Sequence, residues 1–224
     1  MCGRYQLTLP LEALAEIFGF ENEAVPYPPR YNIAPTQPIH VVVAGPRGRE
    51  LQLMRWGLIP AFVKDPKGFP LLINARSETA AEKPAFRNAM RRRRALIPAT
   101  AFYEWRREET GKQPFAFDPP GAIAFAGLFE HWMGPDGEEM DTAAILTAES
   151  TGVPADYHDR MPLTVPQGNF DDWLDGANDN GAAALTLTER ITFTARPVSK
   201  KLSNARNEGA ALMTPDDAAE PTLF

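Results

Sequence analysis

The sequence predicts an α+β fold: a single domain with a mostly antiparallel, barrel-like curled β-sheet and a few peripheral helices. Three observations support this class. The chain has 224 residues, 44% of them hydrophobic, with four Trp and 13 Phe, which is enough for one substantial core. Short β-like runs separated by turns recur through the second half. Helical periodicity is confined to a few short segments, and no internal repeat is visible.

The first half predicts a short helix followed by a hairpin. Apolar residues at helical spacing predict a helix over 11–18 that ends at Gly19. A proline-rich stretch, 26–38, is expected to be irregular. Two strands, 39–44 and 50–56, are predicted next, and the Gly-Pro-Arg-Gly sequence between them is typical of a hairpin turn.

The second half predicts one longer helix and then mostly strands. A polar helix is expected over 77–93, despite Pro84 in its first half. A short helix over 171–174 and a surface loop over 176–181 interrupt the later β-like runs. The predicted strands after the polar helix are 95–97, 102–106, 114–117, 123–132, 142–147 and 191–194.

Composition excludes several classes of protein. Cys2 is the one cysteine, so no intramolecular disulfide forms and a reducing, cytoplasmic location is expected. No apolar run approaches about 18 residues and no signal sequence is present, which predicts neither a membrane span nor secretion. The three His are far apart, so neither a metal nor a cofactor is expected. We expect a monomer, with one domain over 2–213 and a flexible tail over 214–224.

The net charge of −6 is divided unevenly along the chain. Residues 1–100 carry 14 Lys and Arg against 8 Asp and Glu, whereas residues 101–224 carry 9 against 21. An acidic protein is a poor general binder of nucleic acid, because neutralising phosphates supplies most of the non-specific affinity. A basic face built from the first half permits contact with one DNA strand without demonstrating it.

Cys2 is the most informative residue, because it directly follows Met1. Methionine is normally removed before a small second residue, which would leave Cys2 with a free α-amine and a thiol on adjacent carbons. This aminothiol condenses with an aldehyde to an imine, and the sulfur then closes on the imine carbon to give a thiazolidine ring. The two groups ordinarily titrate at about 7.7–8 and about 8.5, so both are usable near neutral pH. The alternative is that Cys2 is an accident of a frayed terminus.

Three polar residues in apolar or aromatic surroundings are candidates for proton transfer or for holding a reacting group. Asn74 follows an apolar run, Glu104 is flanked by aromatic residues, and His158 begins a polar segment before a proline turn. Burial raises the pKa of a carboxyl group and moves that of an imidazole across neutrality, which suits proton transfer. Each also has a structural interpretation. Asn74 would cap a helix, Glu104 would face solvent from a strand, and His158 would be a satisfied structural histidine.

The arginines are similarly ambiguous at this level. Arg76 and Arg160 lie beside these candidates and are interpreted either as phosphate contacts or as ordinary ion-pair partners. The run 91–94 consists of four arginines at the end of the predicted polar helix. It is interpreted as a solvated helix terminus that suits the helix dipole, with phosphate contact as the alternative.

Taken together, these segments resemble the SOS response-associated peptidase family, whose members covalently trap abasic sites in single-stranded DNA. The match spans nearly the whole chain and depends on eight segments in the right order. They are Met1-Cys2-Gly3-Arg4-Tyr5, Arg30-Tyr31-Asn32-Ile33-Ala34-Pro35, Trp56-Gly57-Leu58-Ile59-Pro60, Ile73-Asn74-Ala75-Arg76-Ser77-Glu78-Thr79, Phe102-Tyr103-Glu104-Trp105, Ala126-Gly127-Leu128-Phe129-Glu130, His158-Asp159-Arg160-Met161-Pro162 and the ending Pro197-Val198-Ser199 to Asn204.

The resemblance implies four catalytic residues. Cys2, with Met1 removed, would form the thiazolidine with the ring-opened sugar aldehyde of an abasic site. Asn74 would hold the reacting centre by hydrogen bonds. Glu104 would move protons during imine formation or ring opening, and His158 would be the second acid/base.

The resemblance also implies a DNA-binding set. Its expected members are Arg4, Arg76, Arg160, Phe62, Asn32 and Trp56. The arginines would grip phosphates flanking the lesion, since guanidinium matches phosphate geometry. The family often has a Trp wedge after the segment that ends at Pro60, whereas this chain has Ala61-Phe62. Phe62 still offers a stacking face, but a smaller one. A second departure is Ala101 in place of a common glycine.

Three functions therefore compete. The first is a covalent sensor of abasic sites in single-stranded DNA. Cleavage of the strand at the abasic site, an AP-lyase activity, would be a side reaction of this function. The second is a peptidase that uses Cys2 as an N-terminal nucleophile and begins with its own Met1, an arrangement suited to amide hydrolysis. The third is a reversible binder of single-stranded or modified DNA, which predicts salt-sensitive binding that is indifferent to Cys2.

Overall fold

The computed structural model describes residues 2–23, 27–109, 111–178 and 180–216. Twelve strands are described within these residues. They are β1 (Tyr5–Leu7), β2 (Arg30–Ile33), β3 (Pro38–Gly45), β4 (Gly48–Trp56), β5 (Asn74–Arg76), β6 (Arg94–Ala99), β7 (Ala101–Glu108), β8 (Gly111–Asp118), β9 (Ile123–Met133), β10 (Glu139–Glu149), β11 (Arg160–Pro162) and β12 (Thr194–Pro197).

Five strands close into a β-barrel. Their order is β10-β4-β3-β6-β9, and β9 pairs again with β10 to complete the ring. The pairings are antiparallel except that of β4 with β10, which is parallel and aligns Arg55 with Thr142. Strands β5 and β11 also pair with β10. The predicted barrel-like, mostly antiparallel α+β fold is confirmed.

A second, five-stranded sheet has the order β12-β8-β7-β1-β2. Its pairings are antiparallel, and β1 lies inside the sheet between β7 and β2. Tyr5 of β1 is fully buried and contacts Trp56 of the barrel edge-on, with ring centroids 5.3 Å apart. Because side chains of both sheets belong to one continuous apolar cluster, the residues just before β1 are held near the barrel.

Five short α-helices are described around the sheets. They are α1 (Leu11–Phe18), α2 (Ser77–Ala80), α3 (Arg87–Arg92), α4 (Phe170–Leu174) and α5 (Gly181–Ala184). The first ends as predicted, with Gly19 at φ 66°. The single polar helix predicted over 77–93 is wrong, because the chain forms α2 and α3 with turns around Pro84 between them. Proline cannot donate the backbone hydrogen bond that a continuous helix needs at that position.

Four other elements differ from the sequence-based prediction. The proline-rich stretch contains β2, which pairs with β1. The last strand, β12, begins at Thr194, because pairing with β8 fixes its position. Strand β5 begins at Asn74, so the apolar residues Leu71 to Ile73 lie before it. The predicted loop 176–181 ends at Gly181, which is the first residue of α5. Strong pairing partners, which local sequence does not reveal, account for β2, β5 and β12.

The described residues reach into the predicted tail. Asp216 accepts hydrogen bonds from the Ser199 hydroxyl, at 2.5 Å, and from the Lys200 backbone N–H, at 2.9 Å. The rest of the predicted tail, 217–224, lies outside the described residues. Within the described part of the chain, every helix is too short or too polar to cross a membrane.

Candidate functional site

Cys2 lies buried at the junction of the two sheets, three residues before β1. Asn74, the first residue of β5, donates a hydrogen bond from Nδ2 to the Cys2 carbonyl at 3.0 Å. Its Oδ1 is buried and has no hydrogen-bond partner among the described residues. The side chain is therefore not the cap of α2, which starts at Ser77 with Arg76 in the N-cap position and without a side-chain cap. The structure brings Asn74 and Cys2 together.

Glu104 approaches the same point from β7. Tyr5 pairs with Phe102, and continuing this antiparallel register places Glu104 opposite Gly3, beside Cys2. The Glu104 side chain is buried, at 6% exposure, so it does not face solvent. Burial raises the pKa of Glu104 to about 7, and the Asp159 carboxylate adds to this increase. A carboxyl group with this pKa both donates and accepts protons at neutral pH.

The environment of Cys2 strongly favours the neutral thiol. Burial raises the thiol pKa well above its ordinary range, and the Glu104 carboxylate raises it further. The thiol consequently needs a proton acceptor when its sulfur reacts. The electrostatic effect of Glu104 on Cys2 is consistent with the proximity that the strand register gives.

His158 lies in the segment between a 3₁₀ turn, Val153–Asp156, and β11. Its Nδ1 accepts a hydrogen bond from the Arg160 backbone N–H at 2.9 Å. The Asp159 Oδ1 is 2.7 Å from the same nitrogen. Burial is the main factor that lowers the pKa of His158, so the neutral imidazole is favoured. Because Asp159 also acts on the Glu104 carboxyl, this segment faces the junction that holds Cys2.

The Arg160 guanidinium is held by an ion pair, one of the two interpretations that the sequence left open, with a partner that the sequence analysis did not identify. Its Nη1 and Nη2 donate to the two carboxylate oxygens of Glu78 at 2.8 and 2.9 Å. Nη2 also donates to the Thr147 carbonyl. The Arg160 side chain is only 13% exposed. The position of Glu78, two residues after Arg76, is the one sequence signal that could have suggested this partner.

Arg4 and Asn32 bind the chain's own C-terminal segment. Arg4 donates to Asn32 Oδ1 at 2.7 Å and to the carbonyls of Leu202 and Ser203 at 2.8 and 3.2 Å. The buried Asn32 amide donates to three carbonyls, those of Leu202, Asn204 and Asn207. We therefore assign Asn32 to holding this segment rather than to contacting DNA.

The remaining three residues of the expected DNA-binding set differ in exposure. Trp56 is fully buried and donates from its indole N–H to the Ile73 carbonyl at 2.9 Å, so its ring packs in the core and offers no free face. Phe62 is 61% exposed, which suits a stacking role. Arg76 is also exposed, and it is the last residue of β5, two residues after Asn74.

The arginine run ends in a structural residue. Arg94 is 2% exposed and donates to the carbonyls of Met90, Arg91, Trp173, Asp175 and Asn178. Arg93 forms an ion pair with Glu130 at 2.7 Å. These two arginines fit neither a solvated helix terminus nor a phosphate contact, since their guanidinium groups are bound within the protein. The interpretation of a solvated helix end holds for the exposed Arg91 and Arg92.

No cluster of three or more potential metal ligands occurs among the residues that the structure describes. The site is thus a junction between the two sheets to which β1, β5, β7 and the segment before β11 contribute. A thiol, an amide and a carboxyl group of near-neutral pKa meet there, and the segment that carries a neutral imidazole is within electrostatic range of the carboxyl group through Asp159. Such a set supports addition to a carbonyl carbon with proton transfer, because it combines a nucleophile with groups that move protons.

Comparison with known proteins identifies the family of the chain. Residues 1–205 match the family described as SOS response associated peptidase (SRAP). The abasic site processing protein YoqW of Bacillus subtilis is 38% identical over 222 residues, covering 95% of this chain and 99% of its own length. YedK of Escherichia coli, with the same description, is 29% identical and covers 96% and 100%. A solved structure from Bacteroides thetaiotaomicron, 21% identical, shares the fold with a TM-score of 0.83, covering 96% and 99%. The chain belongs to the SOS response associated peptidase family.

Proposed function

We propose that this protein captures abasic sites in single-stranded DNA by forming a thiazolidine between Cys2, freed of Met1, and the sugar aldehyde. The observation that carries the proposal is the convergence of Asn74 and Glu104 on a buried Cys2 at the junction of the two sheets. The relatives named as abasic site processing proteins support the same substrate. The protein would act in the cytoplasm as a monomer.

The reaction begins with the α-amine. The amine of Cys2 adds to the aldehyde carbon C1′ to give a carbinolamine, which loses water to form an imine. The Cys2 sulfur then adds to the imine carbon, and the imine nitrogen takes up a proton as the thiol loses one. One water molecule is released overall, and the C–N and C–S bonds to C1′ remain.

Glu104 is the group best suited to move these protons. With a pKa of about 7, it is present in both protonation states at neutral pH. In its acid form it protonates the departing hydroxyl of the carbinolamine, and in its base form it accepts the thiol proton. The elevated thiol pKa makes this second step necessary, because the free thiolate is rare in the buried site.

Asn74 and His158 complete the chemistry. The buried Oδ1 of Asn74 has no partner among the described residues and is suited to accept a hydrogen bond from the reacting amine or carbinolamine. Neutral His158 is suited to take up a proton, and the imidazolium so formed is suited to protonate O4′ as the sugar ring opens. The same imine is also the entry to β-elimination, which cleaves the strand, so any AP-lyase activity competes with ring closure.

Arg76 and Phe62 are the residues most available to the DNA. Both are exposed, and Arg76 directly follows the segment that carries Asn74. Contact by Arg76 with a phosphate and stacking by Phe62 on a base would place the lesion at the sheet junction. Arg4 and Arg160 already bind protein groups, so their phosphate contacts would be additional to those bonds or would replace them.

The test is a denaturing gel with Met1-free protein and a single-stranded oligonucleotide that contains one abasic site. We expect a band that survives SDS and heat, whose mass equals protein plus oligonucleotide minus one water. An intact oligonucleotide and the Cys2→Ala variant serve as controls. If protein with a confirmed free Cys2 gives no such band, covalent capture is refuted and reversible binding or peptide hydrolysis is favoured.

Two variants separate capture from the peptidase alternative. An added residue before Cys2 removes the α-amine but keeps the thiol, so a stable adduct from that variant would contradict the thiazolidine. Cys2→Ala tests removal of Met1, because alanine is also small enough for normal methionine trimming. Loss of Met1 from Cys2→Ala would show that Cys2 is not required for its removal, whereas retention would favour self-cleavage.

A further inference from the structure

We propose that Glu78 is a positioning residue that holds His158 in the tautomer with its proton on Nε2, acting through Arg160. This inference rests on the proposed role of His158 as an acid/base, and it adds a residue and a cause to that role. Glu78 lies in α2, immediately after the strand that begins with Asn74. It has no contact with the reacting atoms and would act only through its partner.

The first link is the fork between Glu78 and Arg160. The bonds of 2.8 and 2.9 Å are parallel and charge-assisted, which is the strongest common geometry for a carboxylate and a guanidinium. The Thr147 carbonyl binds the same guanidinium from β10. Together these groups fix the side chain of Arg160 at the start of β11, and with it the orientation of the chain just before that strand.

The second link is the bond from the Arg160 backbone to the imidazole. The Arg160 N–H donates to Nδ1 of His158 at 2.9 Å. A nitrogen that accepts a hydrogen bond carries no proton, so the proton of the neutral ring is on Nε2. Nε2–H is then the group that faces the substrate as a hydrogen-bond donor, and once Nδ1 has taken up a proton the resulting imidazolium can deliver the Nε2 proton.

Asp159 is the competing partner for Nδ1. Its Oδ1 is 2.7 Å away and would favour a proton on Nδ1. The Asp159 side chain is 82% exposed, however, so solvent screens its charge. Burial favours the neutral ring, and the position of the Arg160 N–H, 2.9 Å from Nδ1, allows it to donate to that nitrogen. Asp159 is better placed to stabilise the imidazolium that forms when His158 takes up a proton.

Among the described residues, the charged groups that act on His158 are Asp159 and Arg160 from its own segment, and Glu78 from α2 is bound to Arg160. The buried Glu104 on β7 is linked to them through Asp159. Replacing Glu78 by Gln keeps the size of the side chain but removes one acceptor and the charge. Glu82→Gln is a matched control, because Glu82 is exposed and lies four residues further along the chain.

The experiment measures the ¹⁵N chemical shifts of the imidazoles across pH, together with the rate of crosslinking to an abasic oligonucleotide. The chain has three His, so the spectrum is simple to assign with a His158→Gln variant. In the unaltered protein we expect an unprotonated Nδ1 and a protonated Nε2 for neutral His158. In Glu78→Gln we expect mixed tautomers, a displaced pH profile and crosslinking about tenfold slower at pH 7. Glu78→Asp should restore part of the rate, and Glu82→Gln should change neither measurement.

Unchanged His158 shifts in folded Glu78→Gln would overturn the proposal, whatever the crosslinking rate. The proposal also fails if Asp159→Asn, rather than Glu78→Gln, produces the mixed tautomers. Tighter, more salt-sensitive binding of intact single-stranded DNA by Glu78→Gln, with His158 unchanged, would instead assign Glu78 to masking a phosphate contact of Arg160. The shifts are measured without DNA, so failure of this inference is distinct from failure of covalent capture.

Discussion

Replacing Glu104 by Gln is expected to abolish efficient crosslinking and to stabilise the protein above pH 7. Burial raises the pKa of Glu104 from 4.5 to about 7. Each pKa unit corresponds to about 1.36 kcal/mol, so ionising this carboxyl group costs the folded state about 3 kcal/mol relative to the unfolded chain. Gln has nearly the same shape and cannot ionise, so the variant avoids this cost.

The sign follows from proton binding. Between pH 4.5 and about 7 the unfolded chain has lost the Glu104 proton while the folded protein retains it. Fewer protons are bound in the unfolded state, so the free energy of unfolding falls as pH rises through this window. The increase in the free energy of unfolding that Glu104→Gln produces should therefore be absent below pH 4.5 and reach its full value above pH 7.

The assay is urea unfolding of both proteins at pH 4.5, 6 and 8, paired with crosslinking rates over the same range. Glu109→Gln is the control, because Glu109 is exposed just beyond β7. The crosslinking rate of the unaltered protein should change with an apparent pKa of about 7 that is absent from the variant. A stability difference that does not vary with pH would refute the reasoning, since it would show that Glu104 has no raised pKa.

Three further changes test other parts of the structure. His40 is buried against Tyr27, and this burial, together with Arg30, lowers the pKa of His40 to about 4. The free energy of unfolding should therefore fall as the pH drops below 6.5, because only the unfolded chain takes up the proton there. His40→Gln should flatten that fall in urea titrations. Arg94→Lys should lower the free energy of unfolding by about 3 kcal/mol, measured by thermal denaturation, because lysine cannot reach all the carbonyls that Arg94 binds. Phe62→Ala should weaken binding of single-stranded DNA by about 1–3 kcal/mol without lowering the melting temperature, and equal affinity would exclude stacking by Phe62.

The sequence predicted most strands but not how they join. Apolar alternation and turn residues identify β3, β4, β9 and β10 because these signals are local. The parallel pairing of β4 with β10 closes the barrel between residues far apart in sequence, and no local pattern encodes it. Strand β2 was missed for the same reason, since its pairing with β1 outweighs a proline-rich composition.

The residues proposed to carry the chemistry have local sequence signals, whereas the residues that bind and position their neighbours do not. Cys2 is marked by its position, and Glu104 by a carboxylate among aromatic residues. The alternative that Glu104 faces solvent is wrong because the side chain is buried, which periodicity alone does not show. The roles of Glu78 and Asn32 depend on partners 82 and 170 or more residues away, so only the folded structure reveals them.

The bonds from Arg4 and Asn32 to carbonyls of residues 202–207 also set an order of events during synthesis. A ribosome adds roughly 5–20 residues each second, so the N-terminal strand waits many seconds for these partners to emerge. Until then β1 lacks much of its native surroundings, and the cysteine that precedes it is open to processing enzymes and to small aldehydes. The segment that contains Cys2 is therefore synthesised long before the C-terminal residues that hold it in place.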